Sequence, residues 1–521
     1  MSRTETIKKG GFAVVARWTA GGPRKCLAPV THLLFFWPGM QRRIFLFLWV
    51  GIAALSGCVS SEQRTPAHLD PNHWKEQTLT DILPYWTKHA VDTVNGGFYC
   101  SLDADWNPDG QTKFPSMIAR HLFSYSAAYL MSGQNEHIEM ADRIKDYLLT
   151  HAWDDKYGGW YDELTATGDP QLLTKSTFVQ VYVITGLALY YAVTHDAEVL
   201  DYINRSNVLL EENVWDKETG GYFDGCQQDW TLQAETKSVS SQLAPLSGYL
   251  LYLYTVNRDE KYLRQAERIL DHIMQYMTDP ETGWILEVFD RNWTYIPGAT
   301  GAGEINVGHN IEVAWSLLRV YMLNNRQDYL HTGLALADRL HQFGFDKQNG
   351  FWYATIGNQD PGLSADFTFW WIQAYGNMFD LILHHVKPDG GYADAFKSGA
   401  AFWDNYFLDE SKGDTHMGVR PDGTPSHLHK AEQFKSSYHS VEHGMLNYLY
   451  LTNWVNPKPF TLYFRIDAAE GERLYPLLIE QSNARISRVV INGSAYGPDG
   501  IDSTFMHLPA LKAATVEVSM E

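Results

Sequence analysis

A glycine followed by an aromatic residue returns along this chain at a nearly constant interval. Asn95-Gly96-Gly97-Phe98, Tyr157-Gly158-Gly159-Trp160, Thr219-Gly220-Gly221-Tyr222, Thr282-Gly283-Trp284 and Asn349-Gly350-Phe351 put that glycine at positions 97, 159, 221, 283 and 350. The steps are 62, 62, 62 and 67 residues, a spacing that marks an internal structural repeat. A unit of about 60 residues has room for two helices of ordinary length and their connections. The segments between the turns carry apolar residues at three- and four-residue spacing, as in Arg120 to Leu130, Phe178 to Thr194, Leu246 to Val256 and Ile311 to Leu323. Polar turns such as Thr194-His195-Asp196 and Asn257-Arg258-Asp259 follow them, and aromatic–Asp pairs (Trp153-Asp154, Trp215-Asp216, Phe345-Asp346) precede several of the glycines. Residues 70 to 455 accommodate six units. Six helical hairpins can close into a double-layered toroid with a central cleft; an open helical solenoid is the alternative. Beyond Asn456, Phe460 to Ile466, Leu474 to Ile479 and Ile486 to Ile491 are β-rich runs separated by Gly and Asn turns, so residues 458–521 read as a small β appendage.

The chain is long enough, at 521 residues, to bury a large core, and its aromatic content is high: 18 Trp, 30 Tyr and 24 Phe. Most of these rings suit helix packing, and some suit a cleft in which the apolar face of a sugar ring stacks. Residues 1–57 hold eight of the 41 Lys and Arg and one of the 61 acids, which leaves the remainder at −27. So acidic a surface repels phosphate backbones and anionic membranes, which excludes nucleic acid and favours a neutral small-molecule substrate.

The N-terminus reads as a targeting segment. Arg42 and Arg43 precede an apolar stretch from Ile44 to Leu55, too short to span a bilayer comfortably. Leu55-Ser56-Gly57-Cys58 resembles a bacterial lipobox, in which the Cys58 thiol is acylated and becomes the mature N-terminus; an ordinary cleaved signal or a short membrane anchor is the alternative. Met40 is a candidate true start. The expected organisation is presequence 1–57, linker 58–72, helical domain 73–456 and β appendage 458–521. The expected location is the periplasmic side of a cell envelope, at the outer membrane, with the lipid on Cys58 as the one membrane contact. Cys100 and Cys226 are too few for a disulfide framework.

Two segments carry candidate chemistry: Gly308-His309-Asn310-Ile311-Glu312 and Lys435-Ser436-Ser437-Tyr438-His439-Ser440-Val441-Glu442-His443. Each contains His-x-x-Glu where a helix begins. Residues three apart share a helix face, so the carboxylate can hold one ring nitrogen and raise the basicity of the other.

With these motifs the chain resembles the N-acylglucosamine 2-epimerase superfamily, which includes cellobiose 2-epimerases and mannose isomerases. Gly-His-x-Ile-Glu-x-x-Trp at 308–315, Lys-x-x-Tyr-His at 435–439, Pro421-Asp422-Gly423, Trp370-Trp371-Ile372-Gln373-Ala374 and Arg120 carry the resemblance over roughly residues 75–455. It implies an all-α (α/α)6 barrel with the site in its central cleft and no cofactor or metal. It also implies sugar 2-epimerisation or aldose–ketose isomerisation through an enediolate, on an N-acylglucosamine, mannose or β-disaccharide. His309 and His439 become the acid–base pair, a role that imidazoles with a pKa of about 6.5 can fill on opposite faces of carbon 2. Glu312 would orient His309, and Arg120 would stabilise oxygen charge. Trp370, Trp371, Gln373, Tyr375 and Tyr438 join the orienting or substrate-binding set. Two departures mark this chain: Ala244 and Ser247 stand where many relatives have His and Glu, and Tyr375 stands where the family's Trp-Trp-x-Gln-Ala-Glu has its carboxylate.

A glycoside hydrolase would need two carboxylates about 5–10 Å apart, for which Asp154, Asp155, Asp216 and Glu287 are candidates, although turn and cap chemistry suits them as well. A non-catalytic carbohydrate-binding relative is the third reading. His439-Ser440-Val441-Glu442-His443 matches an inverted zinc-protease signature but lacks a later helix to supply the further ligand. Gly298 to Gly303 is expected to be a loop over the cleft, not a phosphate loop.

Overall fold

The computed structural model describes residues 67–298, 304–357 and 364–521. The candidate start Met40, the lipobox with Cys58 and most of the Gly298–Gly303 loop lie outside them.

Each repeated turn begins with an aspartate whose carbonyl accepts the N–H of a glycine four residues on. The pairs are Asp92–Gly96, Asp154–Gly158, Asp216–Gly220, Asp279–Gly283, Asp346–Gly350 and Asp409–Gly413. All six glycines have φ between 73° and 79°, a conformation that a Cβ strongly disfavours. The turn at Gly413 escapes the sequence pattern because Asp414, not an aromatic, follows it.

Between the turns run twelve helical segments: α1 (71–89), α2 (Pro115–Ser132), α3 (Asn135–Tyr147), α4 (Thr177–Thr194), α5 (Ala197–Leu209), α6 (239–257), α7 (Glu260–His272), α8 (Val307–Asn324), α9 (Gln327–Arg339), α10 (Trp370–Val386), α11 (Tyr392–Phe402) and α12 (Tyr438–Tyr450). Helices α2, α4, α6, α8, α10 and α12 are buried along nearly their whole length, whereas the other six bury one face. A helix that is apolar all round must find partners on every side. The α4 sequence is long and apolar enough to cross a membrane by composition, yet it is 94% buried within the protein. The buried helices touch in the order α2, α4, α6, α8, α10, α12, and α12 also touches α2; each flanking helix packs on its own buried neighbour, α1 on α12. Helices α3, α5, α7, α9 and α11 all end in one wide i→i+5 turn that leads to the next aspartate.

Four side-chain amides tie the turns to the helices. Gln180, Gln242, Asn310 and Gln373, each in the first turn of a buried helix, accept the N–H of Trp160, Tyr222, Ile285 and Trp352 respectively. In the first three the amide N–H₂ also donates to that residue's carbonyl.

Residues 460–520 form a four-stranded antiparallel sheet of β1 (Phe460–Ala468), β2 (Ile486–Ile491), β3 (Ser494–Ala495) and β4 (Leu511–Met520), in the order β1-β4-β2-β3. The segment lies against the C-terminal ends of the buried helices. Tyr129 donates to the Phe464 carbonyl, His195 meets Glu472 at 2.7 Å, Gln481 donates to the Met322 carbonyl, and the buried Arg319 pairs with Glu480 at 2.5 Å. The opposite, N-terminal ends of the same helices carry Arg120, His309 and His439.

Candidate active site

Asn306 caps α8 by accepting the His309 N–H at 3.0 Å, which fixes His309 in the first helical turn. Gly308 has no room for a side chain, because a Cβ would overlap the ring of Trp371 and come within 2.8 Å of Ile372. Trp371 therefore lies directly over the start of α8, with its ring 5.6 Å from that of His309. From the other side His439, in the first turn of α12, approaches the same indole at 6.3 Å. The two imidazoles thus share one aromatic neighbour and stand within about 12 Å of each other.

Their surroundings differ. The His309 side chain is 19% exposed, and its Nδ1 lies 2.9 Å from the Glu287 carboxylate. Burial lowers the His309 pKa, but the charge and hydrogen bond of Glu287, with help from Glu312, outweigh it and raise the group above its ordinary value. The His439 side chain is 8% exposed, and its Nδ1, 3.9 Å from Glu442, makes no hydrogen bond. Burial, then the nearby Arg120 and Lys435 cations, hold His439 well below the ordinary value, so it is neutral at pH 7.

The two His-x-x-Glu carboxylates do not hold their own histidines. Glu442 accepts from Tyr252 at 2.9 Å, Tyr438 at 3.0 Å and Tyr375 at 3.1 Å. Burial pushes the Glu312 carboxyl up, and the nearby His309 works against it. Both carboxyls are pushed up to about 7. Tyr375, in place of the family's carboxylate, thus serves the buried Glu442, and Ser247 donates to the Leu243 carbonyl. Ala244 is buried on α6. Glu287, which sequence reasoning left among turn carboxylates, is the partner of His309 that it missed; it lies four residues past the fourth turn glycine.

The remaining sequence-derived candidates separate. Arg120 is almost fully buried; it donates to the Phe434 carbonyl at 2.9 Å and its guanidinium stacks 3.7 Å from the Tyr182 ring centre. Its Nε makes no hydrogen bond among the described residues. Tyr438 spends its hydroxyl on Glu442. Trp370 is buried, with Lys435 against its ring. Gln373 stands away from the cleft: its amide braces the fifth turn, donating to the Gly350 and Gly399 carbonyls. His443 is fully buried between Trp74 and Trp403 and meets Asn377 at 3.1 Å, so it shares no site with His439. Of the carboxylates considered for hydrolysis, Asp154 pairs with Lys175, Asp216 with Lys237 and Glu287 with His309, while Asp155 is exposed at the turn.

The profile of the N-acylglucosamine 2-epimerase (GlcNAc 2-epimerase) family matches residues 96–442. A cellobiose 2-epimerase of Bacteroides fragilis is 27% identical over 396 residues, covering 70% of this chain and 95% of the relative. Among solved structures, a cellobiose 2-epimerase of Bacillus thermoamylovorans superposes with a TM-score of 0.66 at 23% identity, covering 73% of this chain and 98% of that one. A D-mannose isomerase superposes with a TM-score of 0.67 at 18% identity, covering 74% and 99%. The matched span contains the repeated turns, both histidines and the carboxylates around them, and this chain therefore belongs to the N-acylglucosamine 2-epimerase family.

Proposed function

We propose that the protein is a sugar 2-epimerase or aldose–ketose isomerase that moves a proton at carbon 2 between His309 and His439, without a cofactor. The observation that carries the reading is the opposite bias of two imidazoles on one indole. Groups whose environments push their pKa values apart divide naturally into an acid and a base. His439, kept neutral, takes the carbon 2 proton of the open-chain aldose, and His309, kept protonated by Glu287, returns one to the other face of the enediolate. Delivery to carbon 1 instead gives the ketose from the same intermediate. Arg120 lends positive charge on the His439 side, where negative charge develops on oxygen. The six hairpins are inferred to close as an (α/α)6 barrel whose N-terminal mouth is this cleft, a reading supported by the touching of α12 and α2. The relatives act on cellobiose, N-acylglucosamine and D-mannose by name, and these define the substrate panel. The Leu55-Ser56-Gly57-Cys58 segment supports export and lipid anchoring at the outer membrane.

NMR of each sugar in heavy water tests the proposal. Deuterium is expected at carbon 2 with wild-type protein, and His309→Ala or His439→Ala should slow its entry by about 10²–10⁴-fold, the range of general acid–base catalysis. Sugar binding without exchange would leave a binding protein, and glycoside cleavage that survives His309→Ala would leave a hydrolase.

A further inference from the structure

On the side of the molecule where the first helix meets the last flanking one, three potential metal ligands converge. His68 lies in the short turn Ala67–Leu69, His73 in the first turns of α1, and Asp404 in the wide turn that ends α11. Both imidazole Nε2 atoms stand 2.9 Å from the same Asp404 Oδ2, and the three ligand atoms lie within 4.8 Å of one another. The other oxygen of Asp404 accepts from Gln77 at 2.8 Å, and Gln77 in turn accepts from the Trp403 indole N–H at 2.9 Å. The carboxylate is therefore oriented by a chain of hydrogen bonds, as ligating carboxylates commonly are. The His68 backbone is held as well, since its carbonyl accepts from the Trp74 indole at 3.0 Å. His73 Nε2 is buried yet meets no hydrogen-bond geometry. Two nitrogens crowded on one carboxylate oxygen make a poor arrangement of donors, but a good arrangement of ligands around a shared cation.

We propose that His68, His73 and Asp404 bind a divalent transition-metal ion of the zinc class, pinning the start of the helical array to its last hairpin. Zinc bonds to His nitrogen and carboxylate oxygen are roughly 2.0–2.2 Å, so tetrahedral ligand atoms stand about 3.3 Å apart. The two observed nitrogen–oxygen separations of 2.9 Å fall just inside that edge, and small rotations of the two rings would open the space. Two neutral imidazoles and one carboxylate suit zinc, nickel or cobalt, whereas magnesium and calcium want more oxygens. Side-chain exposures of 24%, 26% and 19% give an entry path and leave a fourth position to water. Binding displaces any proton on His73 to solvent. The ion would bridge residues 331 and more positions apart in sequence, where the Ala67–Leu69 turn touches α11 and α1 touches α12.

The test uses the full chain without a histidine tag, stripped with chelator and titrated with cobalt(II) and zinc. One equivalent of cobalt is expected to give the intense visible bands of tetrahedral coordination, and zinc should displace it and raise the thermal midpoint. His68→Ala and His73→Ala should each weaken zinc by more than the roughly 10–100-fold that loss of an outer-sphere partner costs, with circular dichroism and carbon 2 exchange unchanged. His439→Ala should keep the cobalt spectrum, and magnesium should not compete. Absence of stoichiometric binding, binding that survives both substitutions, or a spectrum lost in His439→Ala instead would each overturn the proposal.

Discussion

His309 turns its Nδ1 to Glu287, 22 residues back in the chain, and not to Glu312 one helical turn ahead. The consequence is a specific pH signature. Glu287→Gln keeps the shape but removes the charge that raises His309, so burial then dominates and the pKa falls. A histidine with a raised pKa is in its acid form below that pKa and loses it as pH rises. The basic limb of kcat/KM should therefore move to lower pH in Glu287→Gln, with a rate loss at neutral pH of about 10–100-fold, short of the roughly 10²–10⁴ for removing an acid–base group outright. A pH–rate profile with an unmoved basic limb would assign Glu287 a purely structural part. At this scale the sequence was half legible. His309 and His439 stood out as candidates because each opens a buried helix in a recurring motif, but spacing alone cannot say where a side chain finds its partner. Glu442 was claimed by Tyr438 on its own helix and by Tyr252 and Tyr375 from other hairpins, and the last two are contacts that no local pattern encodes.

Elements were more legible, because the turn glycines and the alternation of apolar helices are local signals. What the pattern hid was the bracing of those turns. Lys113, Lys175, Lys237, Lys430 and Lys435 are buried and pair with Asp92, Asp154, Asp216, Asp409 and Asp414, always 21 residues earlier. Lys435, read in sequence as part of a family motif, is thus one member of a structural series. Gln373 illustrates the same point. Its place in Trp-Trp-x-Gln-Ala suggested substrate binding, while its repeat-mates Gln180, Gln242 and Asn310 perform the same turn-bracing role. Gln373→Ala would strand the Trp352 N–H and free the Gly350 and Gly399 carbonyls. Leaving such buried groups unpaired costs about 2–3 kcal/mol. Urea denaturation should register that loss, and KM for the best sugar substrate should stay where it is. A raised KM with intact stability would return Gln373 to the cleft.

At the scale of the whole molecule, the two ends of the buried helices are given different work. The N-terminal ends hold the histidines, and the C-terminal ends are covered by residues 460–520. The sequence announced the β runs but not what they cover, because the contact depends on Arg319 and Glu480, 161 residues apart, burying their charges together. Arg319 has no exposed surface; it packs 4.2 Å from the Trp315 ring, and two of its nitrogens make no hydrogen bond among the described residues. Such a guanidinium depends heavily on its one carboxylate, whose charge, working against burial, holds the Arg319 pKa above its ordinary value. Removing one partner of a buried pair costs about 3–5 kcal/mol, since the other charge is left uncompensated. Glu480→Ala should therefore lower the denaturation midpoint more than any surface substitution in the β segment. Arg319 stands ten residues along α8 from His309, about 15 Å at the helical rise. Below its melting range the variant should accordingly keep both kcat and KM. A fall in kcat with an unchanged midpoint would instead mean that the sheet acts on the site through α8, coupling the two ends of the helices.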